Sequence, residues 1–98
     1  MRPLRIITIN TGKGDGEYRA RINWMARELR RLGPDIIACQ EVFRDESGLL
    51  DTAGTLMRRL GLYGFSAPAR YKLRDCEGSR VASWSGLALL SRLPWNLV

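Results

Sequence analysis

Two polar residues, each placed where an apolar strand runs out, carry the chemistry that can be read from this chain. The stretch Gly33 to Phe43 reads GPDIIACQEVF, and its run Ile36-Ile37-Ala38-Cys39 is short and β-branched enough for a strand buried on both faces. It gives way to Gln40-Glu41. A carboxylate at the point where a buried strand surfaces is either a solvated strand end or a metal ligand, and open α/β sheets collect ligands at the carboxyl ends of their strands. A second strand of the same kind lies upstream, Leu4-Arg5-Ile6-Ile7-Thr8-Ile9, ending in Asn10. If the two strands are parallel neighbours, the Asn10 amide and the Glu41 carboxylate share one rim and half-build a pocket for a hard cation.

The elements between them must supply that arrangement. From Tyr18 to Leu32 the residues Ile22, Met25, Ala26, Leu29 and Leu32 recur at helical spacing, with Arg and Glu opposite. Arg27, Arg30 and Arg31 complement the dipole of the last turns, and Gly33-Pro34 supplies a stop. Trp24 falls off the stripe and reads as a partly buried flank. Seven strand residues advance roughly 23 Å, and a helix of about fourteen residues returns roughly 21 Å. The second strand thus starts near where the first began, and the two form a parallel βαβ unit.

Between the first strand and this helix lies Thr11-Gly12-Lys13-Gly14-Asp15-Gly16, a glycine-rich turn. It is not a nucleotide loop. Gly14 follows Lys13 where a Walker motif needs Ser or Thr, and Glu17 stands where the dinucleotide fingerprint needs glycine. A flexible turn bordering a site is the expected role.

After Phe43 the chain is expected to leave the strand through the polar loop Arg44 to Gly48, with Ser47 a candidate N-cap. A second amphipathic helix follows on Leu49, Leu50, Ala53, Leu56, Met57 and Leu60, closed by Gly61. Tyr63–Ala67 and Ala69–Leu73 read as strand broken at Pro68, which implies an edge strand or a bulge. Arg74 to Arg80 reads as loop and Trp84 to Ser91 as an antiparallel strand, before a last apolar piece from Trp95 to Val98. The order is β-α-β-α-β-β.

Composition bounds the partners. Ninety-eight residues make at most one domain, and 16 basic against 10 acidic side chains give +6, nearly all of it arginine. A polyanionic partner such as nucleic acid or a phosphorylated substrate fits that balance, as does a merely solvated charged surface. Two cysteines, Cys39 and Cys76, make no disulfide framework, which suits a reducing, cytoplasmic setting. The N-terminus lacks the apolar core of a signal peptide, and no eighteen apolar residues run together.

Three motifs together carry a resemblance. A first strand ending Thr8-Ile9-Asn10, then Pro34-Asp35-Ile36-Ile37-Ala38-Cys39-Gln40-Glu41-Val42, then Gly86-Leu87-Ala88-Leu89-Leu90-Ser91-Arg92-Leu93-Pro94 resembles the endonuclease/exonuclease/phosphatase superfamily. The resemblance implies an α/β (α+β) fold, the N-terminal half of a four-layer α-β-β-α sandwich with mixed sheets. It implies metal-dependent hydrolysis of phosphate esters, with magnesium or manganese as the cation. It makes Glu41 the metal-ligand carboxylate and Asn10 the catalytic strand-end amide that orients the metal shell or the phosphate. The superfamily's histidine base has no counterpart, since the chain contains no histidine. Residues 1–98 are therefore expected to be the N-terminal portion of one longer domain, inactive alone and prone to self-association through its unfinished sheet.

Two other function classes are compatible with the residues. One is a basic nucleic-acid-binding module built on Arg70, Lys72, Arg74 and Arg80, with Trp84 and Tyr71 for stacking. The other is a non-catalytic fragment that docks a partner strand on its sheet.

Overall fold

The structure, a computed structural model, describes residues 3–94; the apolar piece Trp95 to Val98 lies outside them. The elements are β1 (Ile6–Asn10), α1 (Tyr18–Leu32), β2 (Ile36–Asp45), α2 (Thr52–Leu60), β3 (Tyr63–Cys76) and β4 (Ser79–Ser91). The expected order holds. The strands make one mixed sheet in the order β1-β2-β4-β3. β1 and β2 are parallel, in register from Ile6 opposite Ile36 to Asn10 opposite Gln40. β4 lies antiparallel to both β2 and β3, so the apolar run Leu87–Leu90 has a strand on each side.

Side-chain alternation sorts the sheet into two faces. Ile37, Cys39, Ala88 and Leu90 face the helices and are buried with Ile22, Met25, Ala26 and Leu29 of α1 and Ala53 and Leu56 of α2. Full burial of each large aliphatic here stabilises the fold by about 2 kcal/mol. The opposite face carries the cross-strand row Thr8, Ala38, Leu89 and Phe65, and next to it Asn10 and Gln40 with Leu87. That face is open. Phe65 is 54% and Leu87 57% exposed.

Four local expectations are corrected. β1 is an edge strand with alternating burial, its Ile6 63% exposed, rather than an interior strand. β2 does not end at Gln40-Glu41 but continues to Asp45, because a bulge between Cys39 and Val42 lets it keep pairing with β4. Its Ile36 and Ala38 are only half-buried, since no layer covers them. α2 begins at Thr52, not near Ser47: Asp51 is the N-cap and accepts from the Gly54 N–H, and Leu49 is left exposed. Finally, Arg74 to Arg80 is not loop. β3 and β4 run on to Cys76 and Ser79 around a two-residue turn, Glu77-Gly78, both at positive φ, the geometry that matches strand twist.

Pro68 behaves as expected. β3 is the sheet's other edge, and its register against β4 shifts between Pro68 and Arg70. Opposite it sits Gly86, where a Cβ would stand 2.1 Å from the Ala67 carbonyl oxygen. Only glycine admits so close a strand.

Candidate functional site

The bulge in β2 is the centre of the candidate site. Gln40 and Glu41 together oppose one residue of β4, and Glu41 adopts φ +53°, a left-handed conformation that costs a non-glycine residue about 1 kcal/mol. The extra residue re-aims the side chain. Glu41, which simple alternation would turn toward the helices, instead lines a groove on the open face beside Gln40 and Leu87. Asn10 pairs in register with Gln40, so both expected site residues lie at the carboxyl end of the β1–β2 pair.

The Thr11–Gly16 turn fastens this geometry. The buried Thr11 N–H donates to the Gln40 carbonyl at 2.8 Å, and its hydroxyl to the Gln40 and Glu41 carbonyls at 3.0 and 2.9 Å. The Lys13 N–H donates to the Glu41 carbonyl at 2.8 Å. Asn10 Oδ1 accepts from the Gly12 N–H at 2.9 Å. Arg21 of α1 reaches up and donates to the carbonyls of Thr11, Gly12, Lys13 and Asp15. The expected flexible turn is a clamped one. Gly14 packs so tightly that a Cβ would meet the Phe43 ring at 3.0 Å and Cys76 Sγ at 3.2 Å.

Charge in the groove is mostly positive. Glu41 Oε1 stands 3.9 Å from Lys13 Nζ, a half-exposed pair of the kind worth under about 1 kcal/mol, so the carboxylate is free to change partners. Across the groove β3 contributes Arg70, Lys72 and Arg74, which alternation places on one face. Tyr71 and Trp84 fall on the other. Their rings contact each other, with centroids 4.7 Å apart, and the Tyr71 hydroxyl donates to Glu46. The aromatic pair thus does not interleave with the basic row. Arg80, at the far end, pairs with Asp75 at 3.5 Å.

Glu41 and Asn10 offer hard oxygens, the donor type that magnesium takes. Among the described residues no three His, Cys, Asp or Glu side chains converge. Of Asn10 and Glu41 only Glu41 lines the groove, the Asn10 oxygen being turned to the Gly12 N–H, so the donors present would suit a cation that keeps most of its water rather than a closed cage.

Lys13, Ser85 and the burial of Arg74 were not singled out by the sequence. The available signal was the basic spacing Arg70, Lys72, Arg74 at i, i+2, i+4, which becomes one face only if the strand continues past Leu73.

No protein-family model matches the chain, and no curated protein sequence matches it. Solved structures do. An endonuclease/exonuclease/phosphatase family protein from Leptotrichia buccalis superposes with a TM-score of 0.69 at 20% identity, over 92% of this chain and 37% of that one. An endonuclease/exonuclease/phosphatase from Beutenbergia cavernae superposes with a TM-score of 0.66 at 23% identity, over 93% of this chain and 26% of that one. The chain thus spans about a third of the length of these solved structures, and over that span its fold is the endonuclease/exonuclease/phosphatase fold.

Proposed function

We propose that the chain is the N-terminal part of a magnesium-dependent hydrolase of phosphate esters, with Glu41 as a cation ligand and Asn10 as the amide that orients the cation's shell or the phosphate. The observation that carries this reading is the bulge: a glutamate held at φ +53°, where glycine would be free of strain, beside the strand end that bears Asn10. Strain of this kind gathers at functional positions. The fold shared with the two solved phosphatase/endonuclease structures supports the class of chemistry.

In this reading Glu41 holds the cation and Thr11 holds Glu41, by fixing the two carbonyls of the bulge. When bound, the cation stabilises charge developing on the phosphoryl oxygens. Lys13, Arg70 and Lys72 draw the anionic substrate into the groove. The chain contains no histidine, and we place the base that activates water outside these 98 residues.

The test is hydrolysis of bis(4-nitrophenyl) phosphate by the gene product that contains this chain. Activity is expected with magnesium, none in chelator, and a loss of two or more orders of magnitude in Glu41→Gln with the fold intact. Equal turnover by Glu41→Gln would remove the assignment.

A further inference from the structure

Arg74 is a buried cation without a carboxylate. It is 8% exposed, and among the described residues no ion pair joins it to Asp or Glu. Its guanidinium is spent on neutral oxygens. Nη1 donates to the Ser83 carbonyl at 2.8 Å and to Ser83 Oγ at 3.0 Å, and Nη2 to Ser85 Oγ at 3.0 Å and the Arg70 carbonyl at 3.3 Å. The fifth donor, Nε–H, is buried with no partner. A charge taken out of water costs several kcal/mol unless an opposite charge faces it. An anion held close by would offset that cost.

Arg74 lines a groove whose charge suits an anion. Its cavity of about 320 Å³ is walled by Lys13, Arg70, Lys72 and Arg74 against the single carboxylate of Glu41. Ser85 lines it too. Because Ser85 Oγ accepts from Arg74, its own hydroxyl hydrogen is left to donate, and the cation behind it makes it a stronger donor.

We propose that Arg74, acting through the Ser85 hydroxyl it polarises, forms with Lys13, Arg70 and Lys72 a phosphate-oxyanion site that works without metal. The proposal deepens the phosphoesterase reading, for it assigns to that groove the residues that hold the substrate's phosphate. Lys72 and Arg70, both exposed, bring the anion in. Arg74, through Ser85, fixes it. The site accepts either a phosphodiester or a free phosphate, since both present the same non-bridging oxygens.

The test uses the whole chain, 15N-labelled, in EDTA, at constant ionic strength. The Arg74 Nε–H resonance, assigned by its loss in Arg74→Lys, is followed during titration with inorganic phosphate and, separately, with a thymidine tetranucleotide lacking terminal phosphates. A saturable shift with the tetranucleotide assigns a diester site, and with inorganic phosphate alone a monoester site; either supports the proposal. Arg74→Lys should weaken binding about tenfold, because a lysine cannot reproduce the fork that positions and polarises Ser85. Should that variant not fold, Ser85→Ala and Lys72→Gln, at exposed or half-exposed positions, are expected to weaken binding severalfold with the fold unchanged. Glu41→Gln should bind phosphate as well or better. Hence failure of metal-dependent hydrolysis would leave the result standing, and failure of phosphate binding would leave the Glu41 assignment standing. No shift with either probe, or an equal shift with chloride, would overturn the proposal.

Discussion

Glu41 is held where its own backbone pays a cost, and the cost is measurable. Replacement by glycine should relieve the strain and raise stability by about 1 kcal/mol, seen as a higher melting temperature, while removing any response to magnesium. A Glu41→Gly variant that melts lower would show that the side chain, not the conformation, matters to the fold. The position of Glu41 was legible because an apolar run ends there. Its bulge was not, because no residue at 39–42 favours positive φ. Cys39 shows the opposite case, a residue whose role was fully legible. Burial pushes its thiol up to about 11. The folded thiol therefore stays neutral where the unfolded chain, near 9, ionises, and unfolding releases a proton. Stability should be at its full value below pH 9 and fall by about 2 kcal/mol as pH rises to about 11. Denaturant titrations at pH 8 and pH 10.5 measure this; a flat profile would contradict burial of the thiol.

At the scale of elements, the order of helices and strands was read correctly, while the burial of β1 and β2 and the ends set by a bulge, cap or turn were misread. The stripe of α1 came out as expected from Ile22 to Leu29, while Leu32 at its end and Trp24 on its flank are exposed, and α2 was started too early because Leu49 and Leu50 happen to continue its spacing. Asp51 sets the true start, and Asp51→Ala should cost about 1 kcal/mol in chemical denaturation. An unchanged midpoint would mean that the Asp51 cap contributes nothing. The β3–β4 hairpin escaped detection past Leu73 because Glu77-Gly78 is a poor turn signal; asparagine is the usual first residue. A tertiary contact explains the glutamate. Glu77 accepts from the Arg19 backbone N–H at 2.8 Å and from the Arg19 guanidinium at 2.9 Å, so it caps the first turn of α1 from across the molecule. Such a partner, 58 residues away, leaves no local trace in sequence.

At the scale of the whole molecule, helices cover one face of the sheet, and among the described residues the other is open except where the Thr11–Gly16 turn packs over Phe43 and Cys76. From the start of β1 to its middle this open face is apolar, with Ile6, Tyr63 and Phe65 more than half exposed, and Leu87, also more than half exposed, borders the polar far rim of Asn10, Gln40 and the basic groove. Exposed apolar area of this extent favours association. Sedimentation of the chain should show concentration-dependent self-association that Leu87→Lys weakens, and a monomer at all concentrations would contradict this. The family's fold was legible because three motifs lie on three adjoining strands, and an unfinished sheet was expected with it; which apolar residues lack a cover was not legible, since strand patterns do not tell. No described helix is long and apolar enough to cross a membrane. What gives the molecule its proposed chemistry is the rim, and manganese, a paramagnetic stand-in for magnesium, tests it directly. In spectra of the 15N-labelled chain, the amides of Asn10, Gln40 and Glu41 should broaden first on adding manganese, recover on adding magnesium, and need at least tenfold more metal in Glu41→Gln. Broadening centred elsewhere, or unchanged in Glu41→Gln, would contradict the account.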